Sequence, residues 1–139
     1  MVINGVDAEK EKGVTTIADH LIDGEFLPEK GRYPVVLGEA LAKKMNVRIR
    51  SKVVLTFQDA NSEIVAGAFR VAGIYKTVSS KYDEMNIFVR RSDMEELLQS
   101  DNAVNEIAVL MNDFESIPPF VVDQRAAFPE LSIQPWNEI

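Results

Sequence analysis

Lys81, Tyr82, Asp83 and Glu84 stand together in a polar stretch, and Asp83-Glu84 is the best placed carboxylate pair in the chain for acid–base work. Two carboxylates catalyse hydrolysis when both face one bond, one as acid and one as base or nucleophile. Residues adjacent in sequence usually point apart, so solvated loop charge is the default reading and a hydrolase the weakest functional one. The same stretch suits partner binding: Tyr75, Lys81, Tyr82, Asp83, Glu84 and Met85 are candidate contact residues, because exposed aromatic and thioether side chains on loops are common anchors. Tyr75 and Met85, at strand ends, read more readily as core residues.

Other chemistry is sparse. Asp7, Glu9 and Glu11 alternate as calcium ligands do, but an EF-hand loop needs Gly where Lys12 sits and Glu where Ala18 sits. A solvated acidic turn is the expectation there. His20 is the one histidine and the chain has no cysteine, so His20 has no His or Cys to share a metal with and is expected at the surface or at a helix end. A phosphate-cradling Gly-x-x-x-x-Gly-Lys loop, a Gly-x-Ser-x-Gly elbow and a His-Glu-x-x-His pair are all missing. No catalytic residue, cofactor or metal is therefore expected.

Bulk composition narrows the classes further. At 139 residues, 46% hydrophobic and 27% charged, the chain fits a single globular domain with a real core. Its 22 acidic against 15 basic residues give a net charge of −7, which repels phosphate backbones and argues against nucleic-acid binding. No apolar run approaches the length of about 20 residues that a membrane helix needs, and Met1-Val2-Ile3-Asn4 lacks the features of a signal peptide.

The elements that must position these residues centre on 35–89. Val2 to Asp7 reads as a strand end or turn, and Thr15 or Thr16 caps a short helix to Ile22 with Asp19 in a capping-box position. After a loop at 28–34, a helix over 38–45 places Leu37, Leu41 and Met45 on one stripe, with Glu39 and Lys43 paired outside and Asn46 as its left-handed terminator. The period then drops to 2. Val53, Leu55 and Phe57 share one strand face, a reversal at 59–63 follows, and Val65, Phe69, Val71 and Tyr75 share a face of the return strand. Gly67 and Gly73 within it mark a bulge, bend or close approach, giving a long curved hairpin. An exposed loop over 77–84 leads to a strand at 86–89 and a helix to Leu98, capped by Ser92 or Asp93, with Met94, Leu97 and Leu98 inward. Beyond a loop at 100–102, the chain reads as a buried strand at 106–111, a helix with Pro118 and Pro119 in its first turn, and a strand at 131–133. The fold class is α+β: a mixed, largely antiparallel sheet, a central curved hairpin and three to four short helices. A division into two lobes, 1–34 plus 104–139 and 35–103, fits this order.

Val36-Leu37-Gly38-Glu39-Ala40-Leu41-Ala42-Lys43-Lys44-Met45-Asn46-Val47 resembles the segment I/V-x-G-x-x-L-A-x-x-L-x-V in extracytoplasmic domains of bacterial ABC-transporter permeases, the mechanotransmission class with its MacB-like, FtsX-like and lipoprotein-release members. Gly5-Val6-Asp7-Ala8-Glu9 resembles the family's G-V-D-P-E, and Gly24-Glu25-Phe26-Leu27 its G-x-Y/F-L. Phe69-Arg70-Val71-Ala72-Gly73-Ile74 is similar to F-x-V-x-G-I/V, residues 82–89 to Y-D-x-x-x-V-F-V, and Trp136-Asn137-Glu138 to a W-x-E before the second membrane helix. Two departures stand out. Arg50-Ser51 replaces a common Gly-Asp after the helix, and the tip at 59–63 is too short to form the arm with which lipoprotein-release permeases grip a carrier.

The resemblance implies residues 1–139 as an extracytoplasmic, MacB-like periplasmic core domain, a soluble piece of a membrane-embedded parent at the inner membrane of a bacterium. It implies no enzymatic activity. The expected partners are a cytoplasmic ABC ATPase acting through the parent permease, a second permease copy or paralogue, and a periplasmic protein. The domain would move as a lever when the ATPase closes, in lipoprotein release, efflux or related export. The alternative from another class is a stand-alone small-ligand or peptide-binding module that uses residues 77–85.

Overall fold

The computed structural model describes residues 1–100 and 104–138. Asp101 and Asn102 of the expected 100–102 loop lie outside the described residues. Two compact units are present, Met1–Glu106 and Ile107–Ile139.

In the first unit, β1 (Val2–Val6) runs into α1 (Ala8–Val14). Asp7 Oδ1 caps this helix, accepting from the Glu9 and Lys10 amides at 3.1 and 3.2 Å, and Glu9 and Glu11 then sit in the first turn, where the helix dipole favours negative charge. The expected acidic turn is therefore a helix. By contrast, the helix expected up to Ile22 is one 3-10 turn, Ile17–His20, after which β2 (Leu21–Gly24) pairs antiparallel with β5 (Ile64–Tyr75). Thr16 makes no side-chain cap there. Backbone pairing along the long β5 strand overrides the local capping signal.

The fully buried β3 (Pro34–Gly38) is a strand the sequence reading missed, since a short run such as Val35-Val36-Leu37 looks alike in a buried strand and a buried helix. Gly38 then starts α2 (Glu39–Met45), which ends at Asn46 with φ 53°. Leu37 thus belongs to the strand and Met45 is exposed, so the inward face of α2 is Leu41 and Ala42 rather than the expected Leu37–Leu41–Met45 stripe.

β4 (Lys52–Gln58) and β5 (Ile64–Tyr75) form the central hairpin, whose tip is held by Asp59 Oδ1 accepting from the amides of Asn61 and Glu63 at 2.9 Å each. The anticipated irregularity in β5 falls at Ala72: Val35 pairs with Val71 but Val36 with Gly73, leaving Ala72 as the extra residue of a bulge. It turns the strand over. Phe69, Val71 and Ile74 join one core cluster, while Tyr75 joins the other, so Tyr75 does not share the face of Phe69 and Val71 as its spacing suggested.

In place of the exposed loop at 77–84 stands α3 (Ser80–Met85), capped by Ser79 Oγ accepting from the Tyr82 amide at 3.2 Å. β6 (Asn86–Arg90) and α4 (Arg91–Leu98) follow, with Arg90, not Ser92 or Asp93, in the N-cap position. The sheet order is β1-β6-β3-β5-β2, with β4 also on β5; β1–β6 and β3–β5 are parallel and the other pairs antiparallel. One face packs Val35, Leu37, Ile87 and Val89 against α2 and α4; the other packs Val36, Tyr75 and Phe88 against Ile17, Phe26 and Leu27. Each such buried aliphatic or aromatic side chain contributes roughly 1.5–3 kcal/mol.

The architecture is α+β with a mixed sheet, as the sequence reading expected, though with five α-helices among the described residues rather than three to four. The lobe division is not the one observed, because β1 and β2 of residues 1–34 lie in the same sheet as β3–β6. In the second unit, α5 (Ile117–Ala127) carries Pro118 and Pro119 in its first turn, as expected. Residues 106–111 and 131–133 are not strands: Ile107, Val109 and Leu110 are exposed, and among the described residues of Ile107–Ile139 no strand is present to pair with them. Among the described residues no helix is long and apolar enough to cross a membrane.

Candidate functional site

The six candidate contact residues do not form one surface. Tyr75 is fully buried, edge-on to Phe88 and Tyr82 with ring centroids 5.7 and 6.4 Å away, and its hydroxyl donates to the Asn86 carbonyl at 2.7 Å. Burial pushes that hydroxyl's pKa up strongly, and the neighbouring Tyr82 and Asp83 add to the effect. It is a core tyrosine. Asp83 is buried too, with Oδ2 accepting from the Thr77 amide at 2.9 Å and Oδ1 from the Thr77 hydroxyl at 2.5 Å. Glu84 instead points toward α2 and pairs with Lys44.

Asp83 and Glu84 therefore diverge, one into the core and one across to a neighbouring helix, and no common substrate position lies between them. Lys81, Tyr82 and Met85 remain outward. The Tyr82 pKa is raised, first by burial of part of its ring and then by Glu11 and Asp83. The acidic stretch before them is spoken for: Asp7 caps α1, Glu9 pairs with Lys12 at 3.3 Å and Glu11 accepts from the Thr15 hydroxyl at 3.1 Å. Among the described residues no group of three His, Asp or Glu side chains could hold a metal. His20 is exposed, with Nδ1 2.7 Å from the Thr16 carbonyl oxygen.

What the geometry does bring together is the joint between α2, α3 and the end of β5. A Cβ on Gly38 would overlap the carbonyl oxygen of Asp83 and lie 2.6 Å from its carbonyl carbon, so only glycine lets the two segments meet. A Cβ on Gly73 would meet the carbonyl of Glu25 in the same way. Around the rim, Glu39 bridges Lys43 at 2.8 Å and Lys76 at 3.3 Å, and those two ammonium groups, Lys43 first, hold its carboxyl below the ordinary range.

A second constellation was not foreseen. Arg90 donates to Asp93 through Nε and Nη2 at 2.8 and 3.1 Å, and to the carbonyls of Pro28, Glu29 and Gly31 at 3.2, 2.8 and 3.0 Å. This clamps the 28–31 loop to the start of α4. The sequence signal was limited to an Arg three residues before an Asp, which is too common to single out. Beside it lies a depression of about 790 Å³ whose lining includes Lys12, Phe26, Arg91 and Glu95.

In the second unit, Phe114, Val121 and Trp136 help line a cavity of about 440 Å³, and Arg125 holds it together through the Ile133 carbonyl and Glu138. No protein-family model matches the chain, and no curated protein matches it.

Proposed function

We propose that this chain is the extracytoplasmic domain of a bacterial ABC-transporter permease of the MacB-like and FtsX-like class, without enzymatic activity of its own. In this reading it transmits ATP-driven motion of the parent's membrane helices to a periplasmic substrate or protein partner. A cytoplasmic ATPase would drive it, and a second permease copy or paralogue would stand opposite.

The observation that carries the reading is that the segments of the resemblance interlock. Gly38, in the stretch that resembles I/V-x-G-x-x-L-A, abuts Asp83 of the Tyr82-Asp83 stretch; Gly73, in the stretch resembling F-x-V-x-G, abuts Glu25 of Gly24-Glu25-Phe26-Leu27. The residues that carry the likeness are thus the ones the fold uses to join its parts, which supports treating the series as one inherited unit. A lever also needs stiffness, and a sheet packed on both faces supplies it.

The test is to express the intact gene. The full product is expected in the membrane fraction, with this segment cleaved by protease added from the extracytoplasmic side and with a nucleotide-hydrolysing subunit in the same purified complex. A product that stays in the soluble fraction with no flanking membrane segments in its reading frame sinks the idea.

A further inference from the structure

Lys30, Arg32, Arg50 and Arg70 line one cavity of about 380 Å³, walled by Pro34 and Ala72 among others. In a chain of net charge −7, four of the 15 lysines and arginines converge on this concavity. Among the described residues none of the four is paired with a carboxylate. Scattered surface cations explain themselves as solvated charge, but like charges gathered in a concave place repel one another and focus a positive field there.

Two of the four cationic heads, and the backbone of a third residue, have further contacts. Arg70 donates its guanidinium to the Arg50 carbonyl at 3.2 Å, the Arg32 guanidinium lies 5.5 Å from the centre of the Tyr33 ring, and the Arg50 amide donates to the Val71 carbonyl at 2.8 Å. Arg50 itself has φ 74°, in the left-handed region that favours glycine. A long cationic side chain thus occupies a backbone position where glycine would be relaxed. Strain retained at one residue that lines a charged cavity points to a use for that side chain.

We propose that this cavity binds a phosphate group carried by a small molecule. The positive charge of three arginines and a lysine at one cavity attracts a doubly charged tetrahedral oxyanion, and the apolar walls accommodate a short organic body. The volume suits a small ligand. The protein's net negative charge opposes approach to an anionic lipid surface, which favours a soluble ester over a bilayer headgroup. The inference stands on this cavity and does not rest on the transporter reading.

The experiment titrates the chain with inorganic phosphate and then with glycerol phosphate at constant ionic strength, following backbone amide resonances and thermal midpoint. Saturable shifts are expected at Gly31, Arg50 and Ala72, with tighter binding of the ester and a raised midpoint. Arg50→Gly should weaken binding at least about tenfold, the loss of one charge-assisted hydrogen bond, without lowering the ligand-free midpoint, because glycine relaxes the backbone there. Arg32→Gln, which leaves the backbone turn alone, should weaken it in the same direction. Shifts that grow without saturation and are matched by chloride, equal affinity in Arg50→Gly, or binding seen only with phosphatidylglycerol vesicles would each overturn the proposal.

Discussion

At Asp83 a carboxylate without solvent contact accepts two hydrogen bonds from a single residue, Thr77, and so ties the end of β5 to α3. Replacing it with alanine takes the partner from the part-buried Thr77 amide and leaves the Thr77 hydroxyl with Ser79 alone, and a loss of about 1–3 kcal/mol is expected in denaturant melts. Asparagine, which keeps an acceptor, should lose less. Tyr75 gives a prediction with a sign in pH. Its pKa is raised by burial, so the folded chain holds the phenolic proton more tightly than the unfolded chain; the stabilisation is complete below pH about 10 and fades as pH rises above it. Tyr75→Phe should cost about 1 kcal/mol at neutral pH, from the lost bond to the Asn86 carbonyl, and should flatten the alkaline fall in stability. Melts at neutral and alkaline pH check both parts. Tyr75's burial was legible from its place at the end of an apolar strand, though not which core it joins, which the bulge at Ala72 decides. Asp83's was not: it sits among Thr77, Ser79, Ser80 and Lys81, and that local polarity gave no hint that the packing of α3 would turn it inward.

Among the elements, those whose pattern was strictly periodic were read correctly: β4 by its alternation of Val53, Leu55 and Phe57, and α5 by its prolines and helical spacing. Elements decided by distant partners were not. β2 exists because β5 offers it hydrogen bonds, β3 because it is covered on both faces, and no window of sequence contains either fact. Residues 106–111 show the converse, an apolar run with the look of a strand and, among the described residues, no strand paired with it. Arg90 illustrates the same limit for side chains, since its carbonyl partners lie some sixty positions away in the chain. Arg90→Gln should leave the buried Asp93 carboxylate unmatched and free the 28–31 loop, at a cost of about 2–4 kcal/mol. Limited trypsin digestion supplies the readout, with faster cutting after Lys30 and Arg32 in the variant.

At the scale of the molecule, both hydrophobic clusters lie within Met1–Glu106, whereas in Ile107–Ile139 Val121 is the one buried large apolar side chain among the described residues. A fragment of residues 1–106 is expected to unfold in one cooperative transition, while 107–139 alone, below the roughly 40 residues that usually sustain a core, is expected to give a helix signal without one. Circular dichroism melts of the two pieces decide the matter. Within the larger unit, the twelve residues of β5 carry a consequence beyond packing. Because of the bulge at Ala72, Phe69, Val71 and Ile74 of the one strand close one core while its last residue, Tyr75, closes the other, so neither core can open while β5 stays in place. The backbone amides before and after Ala72 should then exchange with deuterium at one common rate, that of global opening, with no step at the bulge. A pull applied at the hairpin tip would likewise be borne by a single covalent rod of about 40 Å that reaches into both layers, so the sheet would turn as a whole before any part of it yielded.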